Sequence, residues 1–349
     1  MKIITVTFHA AHNYGAVLQA YALQRYIKNT VPDEDVFCLD YRPDFLVPKL
    51  IHRRDNENFV KWVLHNVIAY PSRKKRASGF NAFINSRIRM IDFHNAELEQ
   101  PAVFIVGSDQ VWNKNITGNN FDDVYFLSFS ASPYKYSYAA SMGNNDKDEK
   151  CCLEIKEKLK HFSKVGVREL QLYDSLKKSG VGNIYLNVDP VFLLDKTDYL
   201  KIAELPEYKN YILVYTLETD VNMVTNAINR VKKIYPDAKI ISIGSFNNIY
   251  KADIHYKSAT PEQYLGLIAH AQCIISNSFH ALAFSVVFDR DLVYIPLNNG
   301  RGGRIDTLLA LAGIKDNERI KSKNDKTLLN QTISDSKKYI QAIISECIQ

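Results

Sequence analysis

A histidine stands at the end of Ser276-Asn277-Ser278-Phe279-His280, directly after the β-branched run Cys273-Ile274-Ile275 and before the apolar stretch Ala281 to Phe288. A strand that gives way to a helix here leaves the backbone N–H groups near Asn277 and Ser278 at a helix N-terminus, where anions bind. An unperturbed imidazole changes charge near neutral pH, so a histidine at this place is suited to hand a proton to something held there. A lone histidine on an apolar helix is also a common structural residue, and the segment alone leaves both readings open.

Four other polar clusters follow apolar runs. His9 to Ala16 contains Asn13, which offers both a donor and an acceptor, and Gly15, which lets backbone approach a ligand closely. It lacks GxGxxG and is a poor dinucleotide signature. Gly107 to Asn113 packs Ser108, Asp109, Gln110, Trp112 and Asn113 into seven positions. Such groups suit a sugar, whose hydroxyls need paired donors and acceptors and whose ring stacks on an indole. Asp109 is placed to orient or deprotonate an acceptor hydroxyl, and a capped helix start accounts for the same residues. Arg168-Glu169 and Asp189-Pro190 complete the set. Arg168 is suited to bidentate carboxylate or phosphate binding, or to pairing with Glu169 or Asp189, and Asp189 before Pro190 also reads as turn chemistry.

These clusters need a scaffold that brings strand ends together. Ile3 to Phe8, Val36 to Leu39, Val103 to Val106 and Lys164 to Val167 are short apolar runs followed by polar loops, and helical periodicity spans Ala16 to Lys28. A second series has strands at Tyr211 to Tyr215, Lys239 to Ile243, Cys273 to Ser276 and Leu292 to Ile295. Its helices are at Val221 to Tyr235, Pro261 to Ala271, Phe279 to Phe288 and Arg304 to Leu311. Alternating strands and helices predict an α/β fold with two Rossmann-like, doubly wound parallel-sheet domains facing a cleft. The expected division is 1–195 on the acceptor side, 196–324 on the donor side, and a last helix over 325–349 that packs back on the first domain. Residues 56–90 read as a basic insertion of two helices broken at Pro71-Ser72. It is expected to be an ordinary layer helix, to cover the acceptor site, or to touch a membrane.

Composition is that of a globular enzyme. With 349 residues, 46% hydrophobic and 23% charged, the chain has enough apolar surface for two cores. A net charge of +6 without finger, zipper or RNP patterns points to anionic small molecules or a membrane surface and away from nucleic acid. Five cysteines without CxxC spacing suggest free thiols in a reducing compartment and no metal clip. The start is too short and interrupted for a secretory signal, so a cytoplasmic location is expected, at the inner face of the membrane if the protein is peripheral.

Asn13 to Gln19, Gly107 to Asn113, Ala139 to Gly143, Val167 to Glu169, Asp189-Pro190 and Ser276 to His280 together resemble the polysaccharide pyruvyl transferase family, in order and spacing, from about Lys2 to Leu311. The resemblance implies a GT-B-like pair of domains and phosphoenolpyruvate as donor. It implies a sugar of an exopolysaccharide, capsule or lipid-linked precursor as acceptor, and no metal or redox cofactor. Some members carry an arginine where this chain has Ser278, so Arg168, Arg301 or Arg304 is expected to supply that charge. On this basis phosphate falls to Asn277-Ser278 with Arg304, and carboxylate to Arg168. His280 is the expected general acid or charge stabiliser, and Asp109 or Glu169 the base. Two other classes remain: a nucleotide-sugar glycosyltransferase of the same plan, and a non-catalytic sugar-binding protein.

Overall fold

The first strand, β1 (Lys2–Val6), is buried along its apolar residues because both faces of its sheet are covered. The computed structural model describes residues 1–53, 58–93, 102–143, 149–217, 220–244, 250–296, 303–315, 318–319 and 324–348. Strands β2 (Asp35–Asp40), β3 (Met90–Asp92), β4 (Ala102–Val106), β5 (Lys135–Ala140), β6 (Lys164–Val167) and β7 (Ile184–Leu186) join β1 in a seven-stranded parallel sheet. The order is β3-β2-β1-β4-β5-β6-β7, so strand succession reverses between β1 and β4. Val6 pairs with Val106 across that point, and the loops after both strands leave the same edge side by side.

The second sheet repeats the plan. Strands β8 (Tyr211–Tyr215), β9 (Lys239–Ile243), β10 (Ile254–Tyr256), β11 (Cys273–Ser276), β12 (Asp291–Tyr294) and β13 (Glu318–Arg319) lie in the order β10-β9-β8-β11-β12-β13. All pairs are parallel except the antiparallel edge strand β13 on β12. The reversal falls between β8 and β11, and the loop leaving β11 carries Asn277 and Ser278.

The helices are α1 (Tyr14–Thr30), α2 (Phe59–Arg87), α3 (Glu149–Lys158), α4 (Leu170–Lys178), α5 (Lys196–Leu200), α6 (Val221–Lys232), α7 (Pro261–His270), α8 (Phe279–Val287), α9 (Gly303–Leu311) and α10 (Thr327–Ile348). Local chemistry sets several starts. Asn13 caps α1 by accepting from Gly15 N at 2.9 Å, and Thr260 and Gln263 form a reciprocal capping box ahead of Pro261. The expected break at Pro71-Ser72 is absent: α2 is one helix with Pro71 inside it. The lost hydrogen bond is outweighed by contacts on either side, with Asn66 and Arg73 tied to the 50–52 segment and Phe80 and Phe83 buried.

One apolar core crosses both sheets. It joins Tyr14, Val17 and Tyr21 of α1 and Phe80 and Phe83 of α2 to Tyr264 of α7 and Phe284 of α8. The Tyr14 and Tyr264 rings stack at 4.3 Å with planes 2° apart, and the Tyr14 hydroxyl donates to Ala259 O at 2.9 Å. The last helix, α10, lies on the first sheet. Its Tyr339, Ile340, Ile343 and Ile344 pack with Ile3, Val103 and Ile105, and the Tyr339 hydroxyl donates to Ser137 O at 2.7 Å.

Candidate functional site

Asp189 is where the two halves meet. Pro190 begins a short 3-10 turn, and Asp189 caps it by accepting from Val191 N through Oδ1 at 3.2 Å. The other oxygen, Oδ2, accepts from Arg168 Nη1 at 2.7 Å and from the Ser108 hydroxyl at 3.3 Å, and His280 Nε2 lies 3.5 Å away. Arg168 comes from the end of β6, Ser108 from the end of β4 and His280 from the first turn of α8. Burial pushes the Asp189 pKa up, but the His280 imidazole and the Arg168 guanidinium overcome this and hold it well below the usual carboxylate range.

Arg168 is buried among three carboxylates. Besides Asp189 it donates from Nε to Glu169 Oε1 at 3.4 Å, and Nη2 sits 3.7 Å from Asp109 Oδ1. Burial works against its charge, and Glu169, Asp189 and Asp109 more than restore it, so its pKa is raised. Its sequence-derived role of binding a substrate carboxylate is therefore corrected in one respect: in this arrangement the guanidinium is already engaged by the protein's own acids. Glu169 stands at the N-cap position of α4 without a side-chain capping bond and is fully buried, whereas Asp109 keeps some side-chain exposure.

The first loop reaches His280 through backbone. A β-carbon added at Gly15 would overlap the His280 ring, so glycine is what lets α1 lie against the imidazole. Asn13 is exposed and occupied with its cap. The neighbouring Ser108 loop is held from below: Thr7 Oγ1 donates to Ser108 O at 2.9 Å, and Gln19 Nε2 donates to Thr7 Oγ1 at 2.8 Å. Asp109 N donates to Ser108 Oγ at 2.6 Å, and Asp109 adopts a positive φ of 72° that turns the loop outward.

Arg304, from α9, extends the cationic side. With the Gln110 carbonyl oxygen turned toward it, that oxygen accepts from both terminal nitrogens at 3.1 and 3.2 Å. The Gln110 and Asn113 amides contact each other, and a side chain at Gly143, where φ is +66°, would overlap both. The Phe279 ring lies beneath both cations, 4.9 Å from the Arg168 guanidinium and 5.9 Å from that of Arg304. Burial and the neighbouring Arg168 charge pull the Arg304 pKa down to about 10. Arg168, Asp189, Phe279, Arg304 and Thr307 line a cavity of about 20 Å³, room for a single water.

Two expected contributors are otherwise engaged. Trp112 is fully buried, donates from Nε1 to Tyr125 O at 3.0 Å and stacks on Phe126 at 5.6 Å, so it is a core ring and not a sugar platform. Both ends of the Asn277 amide bind the backbone of Leu217, donating to O at 2.6 Å and accepting from N at 2.7 Å. The side chain therefore fastens the β8 loop to the end of β11. Ser278 stands at the α8 N-cap without a side-chain capping bond. Arg301 lies outside the described residues.

Two features are absent from the sequence reading. Phe279 under the paired guanidiniums looked like the first apolar residue of a helix. His9, fully buried in the loop after β1, donates from Nε2 to Asp40 Oδ1 at 3.0 Å. Its sequence signal is a histidine directly after the apolar run Ile3 to Phe8. Among the described residues, no group of three or more His, Cys, Asp or Glu is disposed to hold a metal ion.

Solved structures are similar to this chain at low identity. The Methanocaldococcus jannaschii UDP-GlcNAc 2-epimerase in complex with UDP-GlcNAc and UDP matches at 11% identity over 99% of both chains, with a TM-score of 0.46. The Neisseria meningitidis UDP-GlcNAc 2-epimerase bound to UDP-GlcNAc matches at 11% identity over 96% of this chain and 90% of that one, with a TM-score of 0.49. The E. coli ADP-heptose heptosyltransferase II matches at 10% identity over 99% of both chains, with a TM-score of 0.36. No curated protein matches the sequence. The profile of the family described as polysaccharide pyruvyl transferase covers residues 13–298, and this chain belongs to that family.

Proposed function

We propose that the protein transfers a pyruvyl group from phosphoenolpyruvate to two hydroxyls of one sugar in a cell-surface polysaccharide or its lipid-linked precursor, closing a ketal. The observation that carries this is the meeting of Arg168 and His280 on Asp189 Oδ2, which sets a proton donor from one half beside a cation from the other. Phosphoenolpyruvate carries two anionic groups and an electron-rich enol ether, so its site must hold negative charge and deliver a proton. Arg304 holds the anion beside Phe279, and the buried charge of Arg168 adds to the attraction. His280 protonates the methylene carbon, and the cationic centre that forms beside the carboxylate is trapped by a sugar hydroxyl, whose proton passes to Asp109. A second hydroxyl then attacks as the carbon–oxygen bond to phosphate breaks, and the phosphate leaves with that hydroxyl's proton.

Asp109 is the better base because Glu169 is fully buried behind Arg168. A cavity sized for one water is too small for the donor, so binding parts the walls around Phe279 and Arg304. No cofactor enters this scheme. The test is incubation with phosphoenolpyruvate and a panel of lipid-linked or nitrophenyl sugars, reading pyruvyl addition by mass and phosphate release. His280→Ala and Arg168→Ala are expected to lose turnover. Full turnover in both folded variants, or binding of nucleoside diphosphates in place of phosphoenolpyruvate by calorimetry, overturns the proposal.

A further inference from the structure

The first half of α2 is held to the protein by polar contacts and turns its apolar residues outward. Asn66 is its buried residue: it donates to His52 O at 2.8 Å and Trp62 O at 2.9 Å, and accepts from His52 N at 3.0 Å and Arg73 Nη1 at 2.9 Å. Arg73 Nη1 also donates to Leu50 O at 3.1 Å. On the other side Val60, Leu64, Val67 and Ile68 are 74, 59, 66 and 71% exposed. Spacings of four, three and one residue put them on one helical face, and a face of large apolar side chains left in water marks a contact surface.

Charge identifies the partner. Helix α2 carries six basic residues and no acidic one. Lys49, Arg53, Lys61, Lys74 and Lys75 are all exposed around the apolar face. We infer that this face docks on a bilayer surface bearing anionic headgroups, with the apolar side chains entering the headgroup boundary and the lysines and arginines pairing with phosphates. A second copy of the chain is the poorer fit, because self-pairing brings two acid-free basic helices together. Among the described residues no helix is long and apolar enough to cross a membrane, so α2 lies on the surface.

The second half of α2 leads to the site. Phe80 packs 5.0 Å from the Tyr14 ring and 5.3 Å from that of His12. Arg76 lies 4.8 Å over Tyr14 and donates to His12 O at 3.1 Å. Tyr14 precedes Gly15, on which His280 rests. Phe59 and Phe80 are separated by about 30 Å of helix, so docking sets the catalytic entrance within reach of a sugar on a lipid carrier. This last link rests on the proposed transfer reaction, whereas the docking surface stands without it.

The test is co-sedimentation of the full chain with vesicles of phosphatidylcholine alone or mixed with phosphatidylglycerol. Binding is expected to the mixed vesicles, weakened by salt. It is expected to fall roughly tenfold or more in Val60→Ser/Leu64→Ser/Ile68→Ser and in Lys74→Glu/Lys75→Glu. Unchanged circular dichroism shows that the variants fold. Absent binding by the wild type, unaltered binding by the variants, or a dimer that the serine variant dissolves overturns the inference. If vesicle binding fails while soluble sugars are still pyruvylated, docking alone is wrong. Vesicle binding without ketal formation sinks only the reaction.

Discussion

The backbone of Gly15, the second residue of α1, lies so close to the His280 ring at the start of α8 that any β-carbon would collide with it. Alanine suits the helix itself, where it gains up to about 1 kcal/mol over glycine, so the collision is what Gly15→Ala tests. Turnover is expected to fall at least about tenfold as the imidazole is displaced from Asp189, with little change in melting temperature. Because both changes act on one group, Gly15→Ala/His280→Ala should be no slower than His280→Ala. Additive losses would separate the glycine from the histidine.

The buried His9–Asp40 pair gives the fold a pH dependence of known sign. Burial disfavours the imidazolium, but the Cys38 sulfur and the Asp40 carboxylate raise the His9 pKa from 6.5 to about 9. The hydrogen bond from His9 lowers the Asp40 pKa to about 2. A raised histidine pKa stabilises the fold fully below about 6.5 and loses that contribution as pH climbs through about 9. A lowered carboxylate pKa does so above about 4, and loses it as pH falls toward 2. The His9 contribution is about 3 kcal/mol. Urea unfolding should therefore show the stability gap between wild type and His9→Gln shrinking by about that amount from about pH 6 to pH 10. A constant gap would mean that His9 is neutral in the fold.

The stacked rings of Tyr14 and Tyr264 should respond in opposite ways to loss of a hydroxyl. Tyr14 donates to Ala259 O, whereas the buried Tyr264 hydroxyl has no hydrogen-bond partner among the described residues. Tyr14→Phe orphans a carbonyl between the halves and is expected to cost about 1 kcal/mol. Tyr264→Phe removes an unsatisfied group and should be neutral or stabilising by up to about 1 kcal/mol. Tyr264→Ala opens a cavity in the shared core, at about 3–5 kcal/mol. Calorimetry on the three variants checks the order, and equal losses in both phenylalanine variants would contradict it.

Strands with long apolar side chains on both faces, such as Val103 to Val106 and Tyr211 to Tyr215, are legible in the sequence because a covered parallel sheet leaves no polar face. Lys135–Ala140 is not, because Ser137 sits inside it, with its polarity cancelled by Gly166: Gly166 N donates to Ser137 Oγ at 2.9 Å, and Oγ donates to Gly166 O at 3.2 Å. The site shows the same division. Asp109, Arg168, Asp189 and His280 can be picked out by type and by position after strands, yet their convergence depends on the order of the strands and on how the two sheets meet. Trp112 fails because loop position says nothing of which way a ring turns, and here Phe126 and Tyr125 draw it inward. Pro71 fails because tertiary contacts on both sides of it outweigh its local cost.

Arg168 and Arg304 both lie against the Phe279 ring and repel each other, which predicts a site that responds to anions. The second guanidinium is held beside the first, burial and that neighbour pull its pKa down to about 10, and Phe279 supplies only the weak attraction of its π face. An anion lodged between them removes the repulsion and stabilises the folded chain by mass action, about 2.7 kcal/mol at a hundred times its dissociation constant. Phosphoenolpyruvate, and more weakly inorganic phosphate, should therefore raise the melting temperature. In Arg304→Gln the unliganded protein should be no less stable, since a like charge beside Arg168 has gone, while the ligand-induced rise should largely vanish and KM for phosphoenolpyruvate should increase at least about tenfold. Trp112→Phe makes the contrast, because it disturbs the core stack on Phe126 and should lower stability while leaving KM unchanged. An undiminished phosphoenolpyruvate shift in Arg304→Gln would move the anion away from the Phe279 face and with it the proposed seat of the donor.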